Sequence, residues 1–297
     1  MSPHPCAERC TEDLFRVYDF AFRFRTNDPD ARHCLVGLYG QFPDSDPTEP
    51  AVAAVLEGDH AGGFHWMLAE KAGTASELSG ALLSLEASLC EAIIRAQQRS
   101  ISVHAATLRS GASAVLIAGR SGAGKSTLSM AMARRGFAVA SDDVTLVQPD
   151  TVNVLPIPRC FHLDDRSVAL LKADGLQFPP ARAGSSFLAP SDFGATATQP
   201  CRAGVLVFLS GPREERPRLT PLPQAEMAAR LLQETGMGPL SNRETVGVLS
   251  RLAAGASCYK LIPGPLASTA DALAELIRSR DRRLKKQDTP NRHAETT

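Results

Sequence analysis

A chain of 297 residues with 43% apolar and 22% charged residues holds enough material for one large α/β domain, or for one such domain with a smaller companion, and is too apolar for wholesale disorder. Its 32 basic residues are balanced by 32 acidic ones, so no global field holds it to nucleic acid or to an anionic lipid surface. The opening MSPHPCAERCTED carries charges where a secretory signal needs an apolar stretch, and no window approaches the roughly eighteen apolar residues of a membrane span, so the expectation is a cytoplasmic protein.

Residues 14–24, LFRVYDFAFRF, alternate apolar and polar partners for much of their length and predict a half-buried strand. TNDPDARHCLVGLYGQF offers Asn27 or Asp28 as an N-cap, Pro29 in the first turn and apolar Cys34, Leu35, Leu38 and Tyr39, predicting a short helix. AVAAVLEG (51–58) and GFHWMLAE (63–70) predict two strands paired through a turn containing Asp59 and two glycines. From Ser76 to about Gln98 the chain places Leu78, Leu82, Leu85, Leu89 and Ile93 at three- and four-residue steps, an amphipathic helix that leads out of an N-terminal module.

SVHAATLRS and SAVLIAG predict strands on either side of a tight turn at Ser110 and Gly111. A glycine-rich loop, a helix over 125–135, the strand FAVAS, and a hairpin of DDVTLVQPD and VNVLPIP turning at Pro149 and Asp150 come next. Residues 175–202, rich in Gly, Pro, Ser and Ala, predict a mobile loop facing the substrate. AGVLVFLS (203–210) is the most apolar strand and belongs in the middle of a sheet. Helices near 223–235 and 242–254, the strand SCYKLI and a helix over 267–279 follow, and a basic stretch without an apolar face predicts a solvated tail. The expected division is an α+β module over 1–98, an α/β domain over 99–280 and a disordered tail over 281–297.

The string GRSGAGKST satisfies G-x4-G-K-[ST] with Gly119, Gly124, Lys125 and Ser126, after the apolar strand AVLIA and before a helix. Such glycines let successive N–H groups of Ser121, Gly122, Ala123, Gly124, Lys125, Ser126 and Thr127 point at phosphate oxygens, with the positive end of the helix dipole behind them. Lys125 would neutralise β and γ phosphate oxygens, and the Ser126 hydroxyl would serve Mg²⁺.

Asp142 and Asp143 follow FAVAS, 17 and 18 residues beyond Lys125. In a strand, helix, strand unit the second strand ends on the same sheet edge as the loop after the first, which brings both carboxylates back beside the γ-phosphate. Phosphoryl transfer needs a cradle, a metal holder and a carboxylate for the attacking hydroxyl; Asp142 is assigned as the base and Asp143, with Ser126, to the metal. His104, on the strand before the cradle, is a candidate for the site or a hydrogen-bonded core residue. PIPRCFHLDDR clusters Arg159, His162, Asp164, Asp165 and Arg166, of which Arg159 is the candidate to reach the transferring phosphoryl group, against surface salt bridging.

Seven scattered cysteines (Cys6, Cys10, Cys34, Cys90, Cys160, Cys201, Cys258) suit reduced thiols rather than a disulfide framework. His4, Cys6 and Cys10 could share a metal, but a second ligand pair at metal-site spacing is missing.

Together, VHAATL, VLIAGRSGAGKST and RRGFAVASDDVTLV resemble the HPr kinase family, specifically its HPr-kinase-related bacterial branch, over roughly residues 100–165. The N-terminal strand, helix and LYGQFPD are also similar to the related kinases. That family has a histidine on the strand before the loop and an aspartate pair after the next strand, positions occupied here by His104, Asp142 and Asp143.

The resemblance implies a P-loop kinase domain with a mixed sheet, akin to the nucleotide domain of phosphoenolpyruvate carboxykinase, preceded by a small α+β module. It further implies ATP- and Mg²⁺-dependent phosphorylation of a serine hydroxyl on a protein or peptide. The E-[IV]-R-G-x-G signature that accompanies phosphorylase activity in the true HPr kinases has no counterpart; PIPRCFHLDD occupies about that place. Some members of the related branch act on a C-terminal serine of lasso-peptide precursors, which adds such a peptide to the acceptors. A nucleotide-binding switch or scaffold without transfer and a small-molecule hydroxyl kinase remain alternatives, and a homo-oligomer stays open.

Overall fold

A computed structural model of the chain describes residues 10–44, 51–59, 61–178, 187–194, 196–236 and 240–287. His4 and Cys6, the middle of the 175–202 loop and the end of the basic tail lie outside the described residues. The first of two sheets runs in sequence order: β1 (Thr11–Val17), β2 (Phe20–Thr26), β3 (Val52–Gly58), β4 (Phe64–Leu68) and β5 (Lys71–Ala75). Only β2 and β3 pair in parallel, because α1 (Pro29–Tyr39) lies between them in sequence and supplies the crossover.

α1 starts at Asp28, whose side chain accepts from the Ala31 N–H at 2.8 Å, a cap that contributes about 1 kcal/mol. Its buried Cys34, Leu35, Leu38 and Tyr39 join the apolar stripe of α2 (Leu78–Ala96) in a single core with Phe15, Phe22 and Phe24.

The predicted strand over 14–24 is instead a hairpin. Tyr18, with φ of 55°, reverses the chain between β1 and β2, and both arms bury aromatic residues on one face. The predicted strand over 63–70 also ends early, at Leu68, where Ala69 takes φ of 52° and turns the chain into β5. Neither reversal carries glycine or asparagine, the residues that ordinarily announce a positive φ.

The second sheet holds β6 (Ile101–Val103), β7 (Ala105–Ser110), β8 (Ser113–Ala118), β9 (Ala138–Ser141), β10 (Thr145–Val147), β11 (Asn153–Leu155), β12 (Cys201–Leu209), β13 (Arg218–Pro221) and β14 (Ser257–Ile262). Its order is β6-β10-β11-β12-β8-β7-β9, with β14 on β12 and β13 outside β14. β12 is central, as its composition predicts, and every residue of it but Arg202 is buried.

Alternation along β8 and β12 feeds two cores. Val115, Ile117, Val205 and Val207 pack with α3 (Lys125–Ala133) and α7 (Leu266–Gln287), while Leu116, Leu206 and Phe208 pack with α5 (Gln224–Gln233) and α6 (Asn242–Ala254) on the other face.

The helix α4 (Asp165–Ala173) has no counterpart in the sequence reading, since Leu171 alone of its residues is fully buried and no apolar stripe marks it. α7 runs eight residues past the predicted end at 279, through RSRDRRLKKQ, because arginine, lysine and leucine propagate a helix well without an apolar face. Residues 281–287 of the expected tail are therefore helical. Among the described residues no helix is long and apolar enough to cross a membrane.

Candidate functional site

β7 lies between β8 and β9 and runs antiparallel to both, with Ala105 opposite Ala118 and Thr107 opposite Ser141. Three events therefore fall on one sheet edge: β8 enters the glycine-rich loop, β9 enters Asp142 and Asp143, and the chain enters β7 just after His104. Two strand spacings, about 10 Å, separate the exits of β8 and β9, a gap that side chains from both can close.

Gly119 has φ of 153°, and a Cβ there would sit 2.6 Å from the Leu209 carbonyl oxygen, so no side chain fits between loop and β12. Gly124, at φ of 95°, caps α3 without a side chain and leaves the first-turn amides of Lys125, Ser126 and Thr127 without helical acceptors. Ser121 and Gly122 form the exposed rim of the loop, with Ala123 and Gly124 half-buried behind them.

Lys125 curls beneath the loop and donates from Nζ to the Gly119 carbonyl at 2.7 Å and the Arg120 carbonyl at 3.4 Å. Burial lowers its pKa, against the pull of Asp143, Glu234 and Asp142. The Thr127 hydroxyl is engaged elsewhere, donating to Ser167 Oγ of α4 at 3.0 Å, which leaves its backbone N–H as the group it could offer a phosphate.

The two aspartates diverge. Asp142 is 1% exposed; burial pushes its pKa up to about 7, Asp143 adds to the rise, and the Ser126 hydroxyl that it holds, Arg159 and Lys125 oppose it. Its Oδ1 has no hydrogen-bond partner among the described residues.

Asp143 takes φ of 71°, inside a three-residue turn closed by the Val144 N–H on the Asp142 carbonyl at 2.9 Å. Such a turn is the rarer, strained γ form, costing roughly 1–3 kcal/mol, and it swings the Asp143 carboxylate outward, where its side chain is 45% exposed. Thr145 holds the turn down, its Oγ1 donating to the Ala105 carbonyl at 2.8 Å and lying 2.6 Å from Thr107 Oγ1.

His104 interrupts the strand predicted over 102–110, splitting it into β6 and β7. Its Nε2 lies 2.5 Å from Asp143 Oδ1, its Nδ1 3.4 Å from Glu234 Oε2, and its N–H donates to the Glu234 carbonyl at 2.7 Å. Arg159 arrives on the segment after β11, fixed to β9 by the Ile157 N–H donating to Ser141 Oγ at 2.7 Å. The guanidinium binds Glu86 of α2 through Nε at 3.0 Å and Nη2 at 3.3 Å, and reaches Asp143 Oδ2 through Nη1 at 3.4 Å. Burial disfavours its charge, but Glu86 and Asp143 outweigh that and raise its pKa.

Lys125, Ser126, Asp142, Asp143, His104 and Arg159 thus form one cluster. Asp164 does not join it; its carboxylate caps α4 by accepting from the Ser167 N–H at 2.7 Å.

Two carboxylates of the cluster escaped the sequence reading. Glu86 is wholly buried, and its signal was legible: it interrupts the apolar stripe Leu82, Leu85, Leu89, a position where an unpaired charge is too costly to keep. Glu234 sits just past α5, and nothing in QETG marks it.

A cleft of about 790 Å³ opens between Arg120–Ala123 and Phe208–Gly211, with Arg230, Gln233 and Glu234 on its other wall, a size in the range of small-molecule sites. The donor set suits a hard divalent cation beside that cleft: an orphaned carboxyl oxygen on Asp142, the Ser126 hydroxyl and the nearby Asp143 carboxylate are all oxygen ligands.

No family model matches the chain, and no curated protein matches it. Among solved structures, that of the Hpr(Ser) kinase/phosphatase from Coxiella burnetii is similar over 66% of this chain and 99% of that one, at 15% identity and a TM-score of 0.31. That superposition is loose and carries no inference about chemistry.

Proposed function

We propose that the chain is an ATP-dependent kinase that transfers the γ-phosphate to a serine hydroxyl of a protein or peptide, with a C-terminal serine of a lasso-peptide precursor among the acceptors. The observation that carries this reading is the unpartnered, buried Asp142 oxygen beside Ser126, set on the same sheet edge as the glycine-rich loop and the outward-turned Asp143. A pure nucleotide-binding scaffold has no need of a second, solvent-facing carboxylate held in a strained turn.

The geometry favours exchanging the roles assigned to the aspartates from sequence. Asp142, buried and bonded to the Ser126 hydroxyl, is inaccessible to an acceptor and suits the metal; bound Mg²⁺ would supply charge neutralisation at the phosphates. Asp143 faces solvent and suits the base. As the serine oxygen bonds to phosphorus and the bond to the ADP oxygen breaks, the hydroxyl proton passes to the Asp143 carboxylate. His104 and Arg159 grip that carboxylate from two sides, and Glu234 and Glu86 grip them in turn. Arg159, forked onto Glu86, orients the base rather than the phosphoryl group.

The test separates binding from transfer. Lys125→Ala is expected to weaken nucleotide affinity at least tenfold by calorimetry. Asp143→Asn is expected to bind nucleotide like the parent while losing at least a hundredfold in turnover. Unchanged turnover in Asp143→Asn sinks the assignment of the base.

A further inference from the structure

We propose that a thiophilic divalent cation of the zinc class binds this protein through Cys160 Sγ, His162 Nε2 and a Glu86 carboxylate oxygen, beneath the phosphoryl site. The three ligand atoms all lie within 4.8 Å of one another. The Cys160 sulfur and His162 Nε2 are 3.4 Å apart, and two ligands at ordinary zinc–sulfur and zinc–nitrogen bond lengths with a tetrahedral angle are separated by about 3.5 Å. The site needs little rearrangement at that edge.

The backbone explains why the two side chains meet. Phe161 pairs with Leu188 in an isolated bridge, its N–H donating to the Leu188 carbonyl at 2.8 Å. On an extended segment residues two apart share a face, so pinning Phe161 into one core sends Cys160 and His162 together to the opposite side, toward α2. Glu86 approaches from α2, already oriented by the Arg159 fork. A carboxylate offers about four lone-pair sites, so Glu86 can serve a cation and retain Arg159.

A second observation points to a missing ligand. The Tyr39 hydroxyl is fully buried and has no hydrogen-bond partner among the described residues, and its electrostatic neighbours are Glu86, Cys90, Cys160 and Arg159. Sulfur and imidazole donors select zinc-like ions over the hard cation suited to Ser126 and Asp142. Cys160 and Glu86 are buried while His162 is exposed, so the histidine is the door. On binding, the Cys160 thiol proton leaves to solvent as the metal–sulfur bond forms. The ion would join α2 of the first sheet's core to the segment carrying Arg159.

The experiment uses Co²⁺ as a spectroscopic probe on the full-length chain with Cys6→Ser and Cys10→Ser, which removes the terminal thiols. The expected result is a sulfur-to-cobalt charge-transfer band in the near ultraviolet with visible ligand-field bands, saturating at one equivalent and bleached by Zn²⁺. Cys160→Ser should abolish the charge-transfer band, and His162→Ala, at an exposed position that leaves folding intact, should weaken affinity at least tenfold. Absence of the band in the parent, or an affinity unmoved by His162→Ala, overturns the site. The readout needs no phosphoryl transfer, so it stands or falls apart from the kinase reading.

Discussion

Replacing Asp142 with asparagine should change how stability depends on pH, in a direction fixed by burial. The folded protein holds this carboxyl at a pKa of about 7, against 3.8 as its ordinary value. Between those values the native state binds the proton more tightly than the unfolded chain, so native stability falls as pH rises and the loss is complete above about pH 7. Each full unit of that window is worth about 1.4 kcal/mol, tapering as pH nears the folded pKa, so Asp142 costs the parent about 2 kcal/mol between pH 5 and pH 7, approaching 3 by pH 8, that Asp142→Asn does not lose.

Asparagine also places an amide against a position without a partner, a penalty of roughly 1–3 kcal/mol. That penalty is independent of pH and cancels when the two proteins are compared across the range. The assay is urea unfolding of parent and variant at pH 5, 6, 7 and 8 without divalent cations. The stability difference should move in favour of the variant by about 3 kcal/mol over the series. A difference that stays flat, or moves toward the parent, refutes the burial of a charged-or-neutral carboxyl at this point in the fold.

Glu86→Ala should destabilise the protein by about 3 kcal/mol, because the buried Arg159 loses both bonds of its fork and keeps only the longer contact to Asp143; a loss under about 1 kcal/mol in urea would show that solvent replaces the partner. Gly119→Ala sets a methyl group 2.6 Å from the Leu209 carbonyl, so nucleotide affinity should fall at least tenfold, and calorimetry matching the parent would show that the loop can move off β12. Glu234→Gln should lower kcat at least tenfold, since His104 loses the charge facing Nδ1; a kcat within twofold of the parent removes Glu234 from the site.

Where local chemistry and burial agree, the sequence was readable. The capped α1, the periodic α2, the apolar β12 and the hairpin through Pro149 and Asp150 all follow from patterns of period two or 3.6 with proper turn residues. The missed reversals at Tyr18 and Ala69 share one cause: residues without turn signatures adopt positive φ because strand pairing on both sides over-determines them. Likewise β13 has three of its four residues largely exposed and owes its existence to pairing with β14.

At the site, the chemistry-bearing types and their shared edge were legible, because strand order fixes where β8 and β9 end. Which aspartate is buried was not. An extended chain would alternate Asp142 and Asp143 by the pleat, whereas the φ of 71° at Asp143 sets their directions through a turn. Glu234 reaches His104 only through tertiary placement of the end of α5, which no window of sequence contains.

The central claim is transfer of phosphate to serine, and the direct measurement is incubation with γ-labelled ATP, Mg²⁺ and a library of serine-containing peptides, half of them ending in serine, followed by identification of the labelled amino acid. Label on serine, absent with Lys125→Ala and with Asp143→Asn, is the expected result. Nucleotide bound at micromolar affinity with no label on serine, in the parent protein, contradicts the claim and leaves the chain a binder of nucleotide.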